Sequence, residues 1–357
     1  MSEVIFHRLR VAEVTSLTDD SVAVTFDVPP ELASSFDYLP GQHVTLRREI
    51  DGEDVRRSYS ICAPAGHGKL RVGIKRLPGG AFSTFATTSL AAGEVLEVMP
   101  PVGEFTLDVD PATPRKAAAI AAGSGITPVL SLLSTSLERE PQASWTLMYG
   151  NRTANSVMFL DELEGLKDRF SPRFQLFHIL SREGSDVPLL SGRIDEEKIR
   201  TIHDRLLGRG EVDGWYLCGP YDMVMTARET LGDLGVGDDR IHTELFFAGP
   251  VDASALPPEP PPGEGSVDLT VILDGRAVET RMTPETTILD AALRVRTELP
   301  FSCKGGMCAT CKGRVEEGEV QMAKNYALTE AEITNGYVLT CQSRPITDRV
   351  VVRYDHR

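Results

Sequence analysis

Cys303-Lys304-Gly305-Gly306-Met307-Cys308-Ala309-Thr310-Cys311 decides how the last quarter of this chain folds. With Cys341 it gives the spacing C-x4-C-x2-C, then 29 residues, then C. Three close cysteines and one distant one suit a [2Fe–2S] cluster held by four thiolates. Structural zinc more often takes two close pairs. Zinc and unliganded thiols are the alternatives. Gly305 and Gly306 suit a loop that brings backbone N–H groups close to sulfur, because glycine accepts both close approach and positive φ.

Working outward, Val267–Leu273 and Arg276–Met282 flank Asp274-Gly275, which reads as a hairpin. Thr287–Arg296 then reads as a helix ahead of the cysteine loop. Upstream, Gly249–Ser266 runs GPVDASALPPEPPPGEGS, a semi-rigid, extended linker. The remaining 248 residues change character near residue 112. Before it, short alternating runs such as Val22–Phe26 and His43–Leu46 are broken by Pro-Gly and Gly-Gly turns, the pattern of a small antiparallel barrel. After it, apolar runs (Ala117–Ala122, Trp145–Tyr149, Phe174–Leu180, Gly214–Cys218) alternate with helical stretches (Pro128–Glu140, Phe159–Arg169, Tyr221–Leu234). That alternation argues for a parallel sheet covered on both faces. The expected fold is therefore multidomain: a barrel over 1–111, an α/β domain over 112–248, a linker over 249–266 and an α+β module over 267–357.

Composition narrows the function. Of 357 residues, 52 are acidic and 37 are Lys or Arg, a net charge of −15. So acidic a surface is a poor match for phosphate backbones, which excludes nucleic acid, and for anionic membranes. No apolar stretch is long enough to cross a bilayer. The expected location is the cytoplasm, where clustered thiols bind metal rather than pair. Residues 267–357 hold twelve Lys/Arg against thirteen Asp/Glu, so this module is nearly neutral and its docking is expected to depend little on salt.

Further motifs precede the linker. Pro40-Gly41-Gln42 opens a strand, and Arg57-Ser58-Tyr59-Ser60 follows an acidic hairpin. Gly79-Gly80-Ala81-Phe82-Ser83-Thr84 follows the strand Val72–Lys75; glycine then Ser/Thr at a helix start turns backbone N–H groups toward an anion. Gly123-Ser124-Gly125-Ile126-Thr127-Pro128 is a second strand-to-helix turn of that kind. It lacks the Lys-Ser/Thr of an ATP-binding loop. Cys218-Gly219-Pro220-Tyr221-Asp222-Met223 ends a late strand. Each has a plain alternative: an exposed strand Arg for Arg57, a buried strand-end thiol for Cys218. Cys62 reads as a small buried hydrophobe and His43 as strand packing. His242-x-Glu244 lacks a second histidine that would complete an iron site.

In this order the motifs resemble the ferredoxin–NADP⁺ reductase family, and residues 267–357 resemble a plant-type ferredoxin domain. The resemblance implies a β-barrel that binds FAD, an α/β domain that binds nicotinamide and a β-grasp ferredoxin module. It implies that Arg57 pairs with the FAD pyrophosphate, that Tyr59 packs on the flavin beside Ser58, and that the Ser60 hydroxyl reaches flavin N5. Ile74 and Lys75 would flank the flavin, and Gly80, Ala81, Phe82, Ser83 and Thr84 would hold its pyrophosphate. Gly123, Gly125, Thr127 and Pro128 would receive the nicotinamide pyrophosphate. Cys218, Gly219 and Pro220 would stand beside the nicotinamide, and Glu244 and Phe246 would line the active site. Ser60, Cys218 and Glu244 are thus the implied catalytic residues, and Cys303, Cys308, Cys311 and Cys341 the implied cluster ligands. Ser181 and Arg182, with Arg152, match the 2′-phosphate contacts of NADPH-dependent members; NADH is the alternative. The whole chain resembles reductases of bacterial multicomponent oxygenases, especially the branch serving phenylacetyl-CoA ring epoxidases. A branch of the same order serves steroid hydroxylases. The implied activity takes two electrons from NADPH onto FAD and passes them singly through [2Fe–2S] to an oxygenase component.

Overall fold

The computed structural model describes residues 6–207, 212–245, 256–261, 263, 265–273, 275–296, 299, 301, 304, 306, 311–325 and 327–354. Contacts divide the chain into two compact units. One is His7–Val44 with Tyr59–Ala248; the other is Met1–Phe6, Thr45–Ser58 and Gly249–Arg357.

The N-terminal sheet has β1 (His7–Thr18), β2 (Ser21–Asp27), β3 (His43–Ile50), β4 (Glu53–Ser60), β5 (Leu70–Lys75) and β6 (Val95–Val98), with the short helix α1 (Ala81–Thr88) before β6. Strand order is β4-β3-β6-β1-β2-β5. Alternation places Leu9 and Val11 in the core and Arg8 and Arg10 outside. Immediately after β4, Ile61 bridges Val72 of β5, and Cys62 N–H donates to the Arg71 carbonyl at 2.9 Å, so the two edge strands meet and the barrel closes. The Pro-Gly turn before β3 needs its glycine. Gly41 has φ +91°, and a Cβ there would lie 2.0 Å from the Phe105 carbonyl oxygen.

The middle of the chain forms a parallel sheet of β7 (Lys116–Ala122), β8 (Ser144–Asn151), β9 (Phe174–Leu180), β10 (Gly214–Gly219) and β11 (Ile241–Leu245), in the order β11-β10-β7-β8-β9. Helices α2 (Ile126–Arg139), α3 (Leu160–Arg169), α4 (Glu196–Ile202) and α5 (Tyr221–Asp233) connect the strands. The Ala/Ile run of β7 is buried throughout, as a central parallel strand requires. Helix α2 is buried from Ile126 to Leu137 because it is covered on two sides, by its own sheet and by the barrel. Its small polar residues make the second contact. Ser131 Oγ donates to the Ala63 carbonyl at 2.7 Å, and Thr135 Oγ1 accepts from Ala65 N–H at 2.9 Å. On β5, a Cβ at Gly73 would lie 2.6 Å from Thr127 Cγ2, so glycine there lets the barrel approach α2. Beyond α2, the Glu140 carboxylate is fully buried and accepts from the Arg115 guanidinium, Ser136 Oγ and Asp110 N–H.

The C-terminal unit has a sheet of β12 (Val267–Leu273), β13 (Arg276–Met282), β14 (Lys312–Glu317), β16 (Tyr337–Leu339) and β18 (Arg349–Arg353), in the order β13-β12-β18-β14-β16. A smaller ladder pairs β15 (Val320–Met322) with β17 (Ser343–Pro345). Helix α6 (Ile288–Val295), capped by Thr287, packs on the main sheet. Gly275 has φ +68°, as the hairpin reading needs; Asp274 lies outside the described residues. The linker reading covers 249–266, of which 249–255, 262 and 264 lie outside the described residues. Its middle is tied down. The Pro257 and Pro258 carbonyls accept from Arg294, and Glu259 pairs with Arg281. Hairpin residues Thr45–Ser58 join this unit through an ion triad. Glu332 on α7 (Glu330–Thr334) accepts from Arg56 at 3.0 Å and from Lys312 at 3.1 Å. Burial alone would raise the Glu332 pKa, but the Thr329 N–H, Arg56 and Lys312 outweigh it and hold the carboxyl at about 2.

Glu140 supplies a test of the α/β core. Glu140→Ala leaves Ser136 without its carboxylate acceptor and Arg115 without its buried counter-charge, though Arg115 keeps the Asp108 carbonyl, and is expected to cost about 3 kcal/mol. Thermal unfolding should show a clear drop in Tm, while the exposed-surface control Glu197→Ala should stay near wild type.

Candidate electron-transfer site

Three strand ends converge at one place in the first unit. Ser60 ends β4, Cys218 lies near the end of β10, and Glu244 lies on β11 in register with Cys218. Ser60 Oγ donates to Glu244 Oε2 at 3.3 Å. Both acids are held in their protonated forms. Burial drives the Glu244 carboxyl up to about 8 despite the Ser60 hydrogen bond. Burial and the neighbouring Glu244 raise the Cys218 thiol well above its ordinary value. A Cβ on Gly125 would stand 2.2 Å from the Cys218 carbonyl oxygen, so the β7–α2 turn and the end of β10 touch backbone to backbone.

Two further turns open helices whose first N–H groups have no side-chain cap. Gly79 has φ +73° with open space beside it, and α1 begins at Gly80 with no side-chain cap and no acidic residue in its first turn. Its orphan N–H groups and positive dipole end suit a phosphate. The second turn is similar. Gly123 has φ +54° and open surroundings, and α2 also starts without a side-chain cap or an early acid. Tyr149 Oη steadies this turn by donating to the Gly123 carbonyl at 3.0 Å. On β4, the Arg57 guanidinium donates to the Arg56 carbonyl through Nη1 at 2.7 Å and is only half-buried. The Tyr59 ring lies 5.6 Å from the Phe82 ring, which supports its orientation.

In the C-terminal unit, Cys311 and Cys341 are both buried. Thr340 joins them, since its N–H and Oγ1 both donate to the Cys311 carbonyl, at 3.2 and 2.8 Å. Gln342 Nε2 donates to the Lys304 carbonyl at 2.6 Å. Lys304 itself has φ +48°, and a Cβ on Gly306 would meet the Lys324 carbonyl at 3.0 Å. Two buried thiols on pinned neighbouring segments, beside the left-handed Lys304 and the closely packed Gly306, fit a thiolate-held cluster. Cys303 and Cys308 lie outside the described residues.

Comparison with known proteins settles the lineage. Residues 8–107 match an oxidoreductase FAD-binding domain, 119–229 an oxidoreductase NAD-binding domain, and 271–345 a 2Fe-2S iron-sulfur cluster binding domain. The chain is 43% identical to a component of the 1,2-phenylacetyl-CoA epoxidase of Escherichia coli, across 98% of both chains. It belongs to the ferredoxin–NADP⁺ reductase family, in the branch with a C-terminal plant-type ferredoxin domain. It is also 32% identical to the ferredoxin reductase component of 3-ketosteroid-9-alpha-monooxygenase from Rhodococcus rhodochrous, over 97% of this chain and 96% of that one. Phthalate dioxygenase reductase shares the fold, with a TM-score of 0.58 at 22% identity over 98% of both chains. This reductase is therefore an NAD(P)H-dependent oxidoreductase that uses FAD and a [2Fe–2S] cluster.

The side chains expected at the site divide into two groups. Ser60, Cys218 and Glu244 are brought together. Gly80, Gly123, Gly125 and Gly219 shape turns; a Cβ on Gly219 would meet Met223 Cε at 2.8 Å. Pro220 opens α5, while Ala81 and Thr84 lie exposed on α1. Others are committed to scaffolding. Ile74 is buried in the barrel, and Lys75 pairs with Asp20 at 3.2 Å. Phe82 is fully buried. The Ser83 hydroxyl serves Leu77 N–H and the Gly80 carbonyl, and Thr127 donates to the Ser124 carbonyl with Pro128 buried beside it. Thr45 Oγ1 bonds the Ser58 hydroxyl at 3.1 Å. Phe246 lies outside the described residues. Two residues that matter here carry no signal of it in the sequence. The Tyr149 hydroxyl contact depends on the sheet. His43 has Nδ1 3.9 Å from Glu244 Oε1, although its sequence setting reads as plain strand packing.

The raised Glu244 value makes a pH prediction. An acid that titrates near 8 in the folded chain and 4.5 otherwise binds more protons folded than unfolded between those values, so stability falls as pH rises across that window. Tm measured at both ends of the window should fall more in wild type than in Glu244→Gln. Equal slopes would show that the carboxyl is not held protonated.

Proposed function

We propose that this reductase takes electrons from NADPH and delivers them, in the cytoplasm, to the oxygenase of a phenylacetyl-CoA epoxidase complex. The observation that carries the partner is the 43% identity to the epoxidase component, sustained from end to end. Bound FAD accepts two electrons from a reduced nicotinamide, and the cluster carries one at a time.

The chain's own residues supply the positioning. Arg57 and the start of α1 would neutralise the FAD pyrophosphate, with Tyr59 offering a flat face. The Gly123 turn would take the nicotinamide pyrophosphate, and Gly125 keeps that turn against Cys218. The thiol of Cys218 stays protonated and acts by shape. Ser60 and Glu244 hold a proton at the flavin edge. Cys303, Cys308, Cys311 and Cys341 would hold the cluster.

For NADPH over NADH, the support is a pair of arginines. Ser181 N–H donates to the Asn151 carbonyl and Arg182 N–H to the Arg152 carbonyl, at 2.9 and 2.8 Å. Both guanidinium groups are thus carried at the ends of adjacent parallel strands, where nucleotides bind such sheets. Both are exposed, and a 2′-phosphate suits their fork geometry. A steroid hydroxylase is the second reading for the partner, on the 32% relatives.

Anaerobic titration with NADPH and with NADH tests the reading. Flavin absorption should bleach, followed by the iron–sulfur bands, and faster with NADPH. Arg182→Ala should raise KM for NADPH about tenfold, the loss of roughly 1.4 kcal/mol of phosphate binding, and leave NADH unchanged. Cys341→Ser should keep flavin bleaching and lose the iron–sulfur bands. A protein without flavin or iron–sulfur bands after reconstitution would sink the proposal.

A further inference from the structure

His43 begins β3 and is 4% exposed, yet its Nε2 is buried with no hydrogen-bond partner among the described residues and its Nδ1 comes no nearer than 3.9 Å to Glu244 Oε1. A buried polar ring with no partner is costly and asks for a reason. Its backbone is fixed on both sides. His43 N–H donates to the Val102 carbonyl and the His43 carbonyl accepts from Val102 N–H, each at 2.9 Å. The preceding Gln42 carbonyl accepts from Ile61 N–H at 2.9 Å, which sets His43 beside the end of β4 and therefore beside Ser60. Gly103 leaves the ring its room, since a Cβ there would lie 3.1 Å from Nδ1. The ring then stands with Nδ1 3.9 Å from Glu244 Oε1, while the other carboxyl oxygen takes the Ser60 hydroxyl.

We propose that His43 is a positioning residue for Glu244: its uncharged ring accepts a hydrogen bond from the carboxyl O–H at Nδ1 and so turns the second carboxyl oxygen toward Ser60. This rests on the reading that Ser60 and Glu244 line the flavin. At 3.9 Å the pair is in contact rather than hydrogen-bonded, and catalytic hydrogen bonds tighten once a site fills. The two groups have compatible charge states. Burial takes the His43 pKa down to about 4 and the Glu244 pKa up to about 8, so both are neutral between those values. The other groups facing Glu244 among the described residues are the Cys218 thiol and the Ser60 hydroxyl, with no Lys or Arg. A protonated carboxyl needs a neutral acceptor, and the imidazole Nδ1 stands at the carboxyl oxygen that Ser60 does not use.

Infrared difference spectra test this on FAD-loaded and on flavin-stripped protein. The band lost in Glu244→Gln identifies the protonated Glu244 C=O stretch. In His43→Phe, which keeps a flat ring but no nitrogen, that band should move to higher frequency, and NADPH should reduce the flavin about tenfold more slowly with KM unchanged. His43→Gln offers an amide oxygen as acceptor and should restore both. If His43→Phe loads no flavin, His43→Leu serves the same comparison. A band at one frequency in wild type and variants, or no protonated Glu244 band at neutral pH, overturns the proposal. Failure of wild-type flavin to bleach with NADPH would instead sink the electron-transfer reading and leave the band assignment standing.

Discussion

The contact between Gly125 and the Cys218 carbonyl sets the geometry of the reductase. Two chain segments almost a hundred residues apart meet there without an intervening side chain. That closeness fixes where the β7–α2 turn stands against the end of β10. The parallel register then carries the constraint outward, from Cys218 to Glu244 on β11. Barrel packing on α2 completes the arrangement, because the short side chains of Ser131 and Thr135 bond the barrel backbone directly and Thr127 fits against Gly73. Larger apolar residues on that face of α2 would bury more surface and hold Ser60 farther from Glu244.

Much of this was legible in the residues. The parallel strands follow continuous apolar runs, and Ala117–Ala122 needed no tertiary information to be read as a buried strand. Cysteine spacing pointed to the cluster module because a metal site demands particular residue types at particular intervals. Glycine motifs marked the two anion turns for the same reason. Side-chain roles inside those motifs were harder. Ser83 and Thr127 look like phosphate ligands, yet their hydroxyls close the turns from within. Only glycine conformation and backbone N–H direction are local; what a hydroxyl bonds depends on the rotamer its neighbours allow.

His43 and Glu332 illustrate what a linear reading cannot weigh. Each acquires its setting from residues far away, Glu244 for one and Arg56 for the other. A histidine at the head of a strand is ordinary until a buried carboxyl is found beside it. A Glu in the Thr329 capping box is ordinary until two cations converge on its remaining oxygen. The near-neutral total of the ferredoxin module conceals that local charge.

Strand β18 lies in the middle of the ferredoxin sheet, parallel to β12 and between it and β14, although it comes last in sequence among the described strands. During synthesis the sheet therefore has a gap until residues 349–353 have left the ribosome. Cys311 and Cys341 do not wait for that strand, because β14 pairs directly with β16 between them and Thr340 bonds the Cys311 carbonyl. The parallel sheet has no such gap, since β7 to β11 follow one another by residue 245. Ser60, Cys218 and Glu244, by contrast, meet entirely within residues that precede the ferredoxin module.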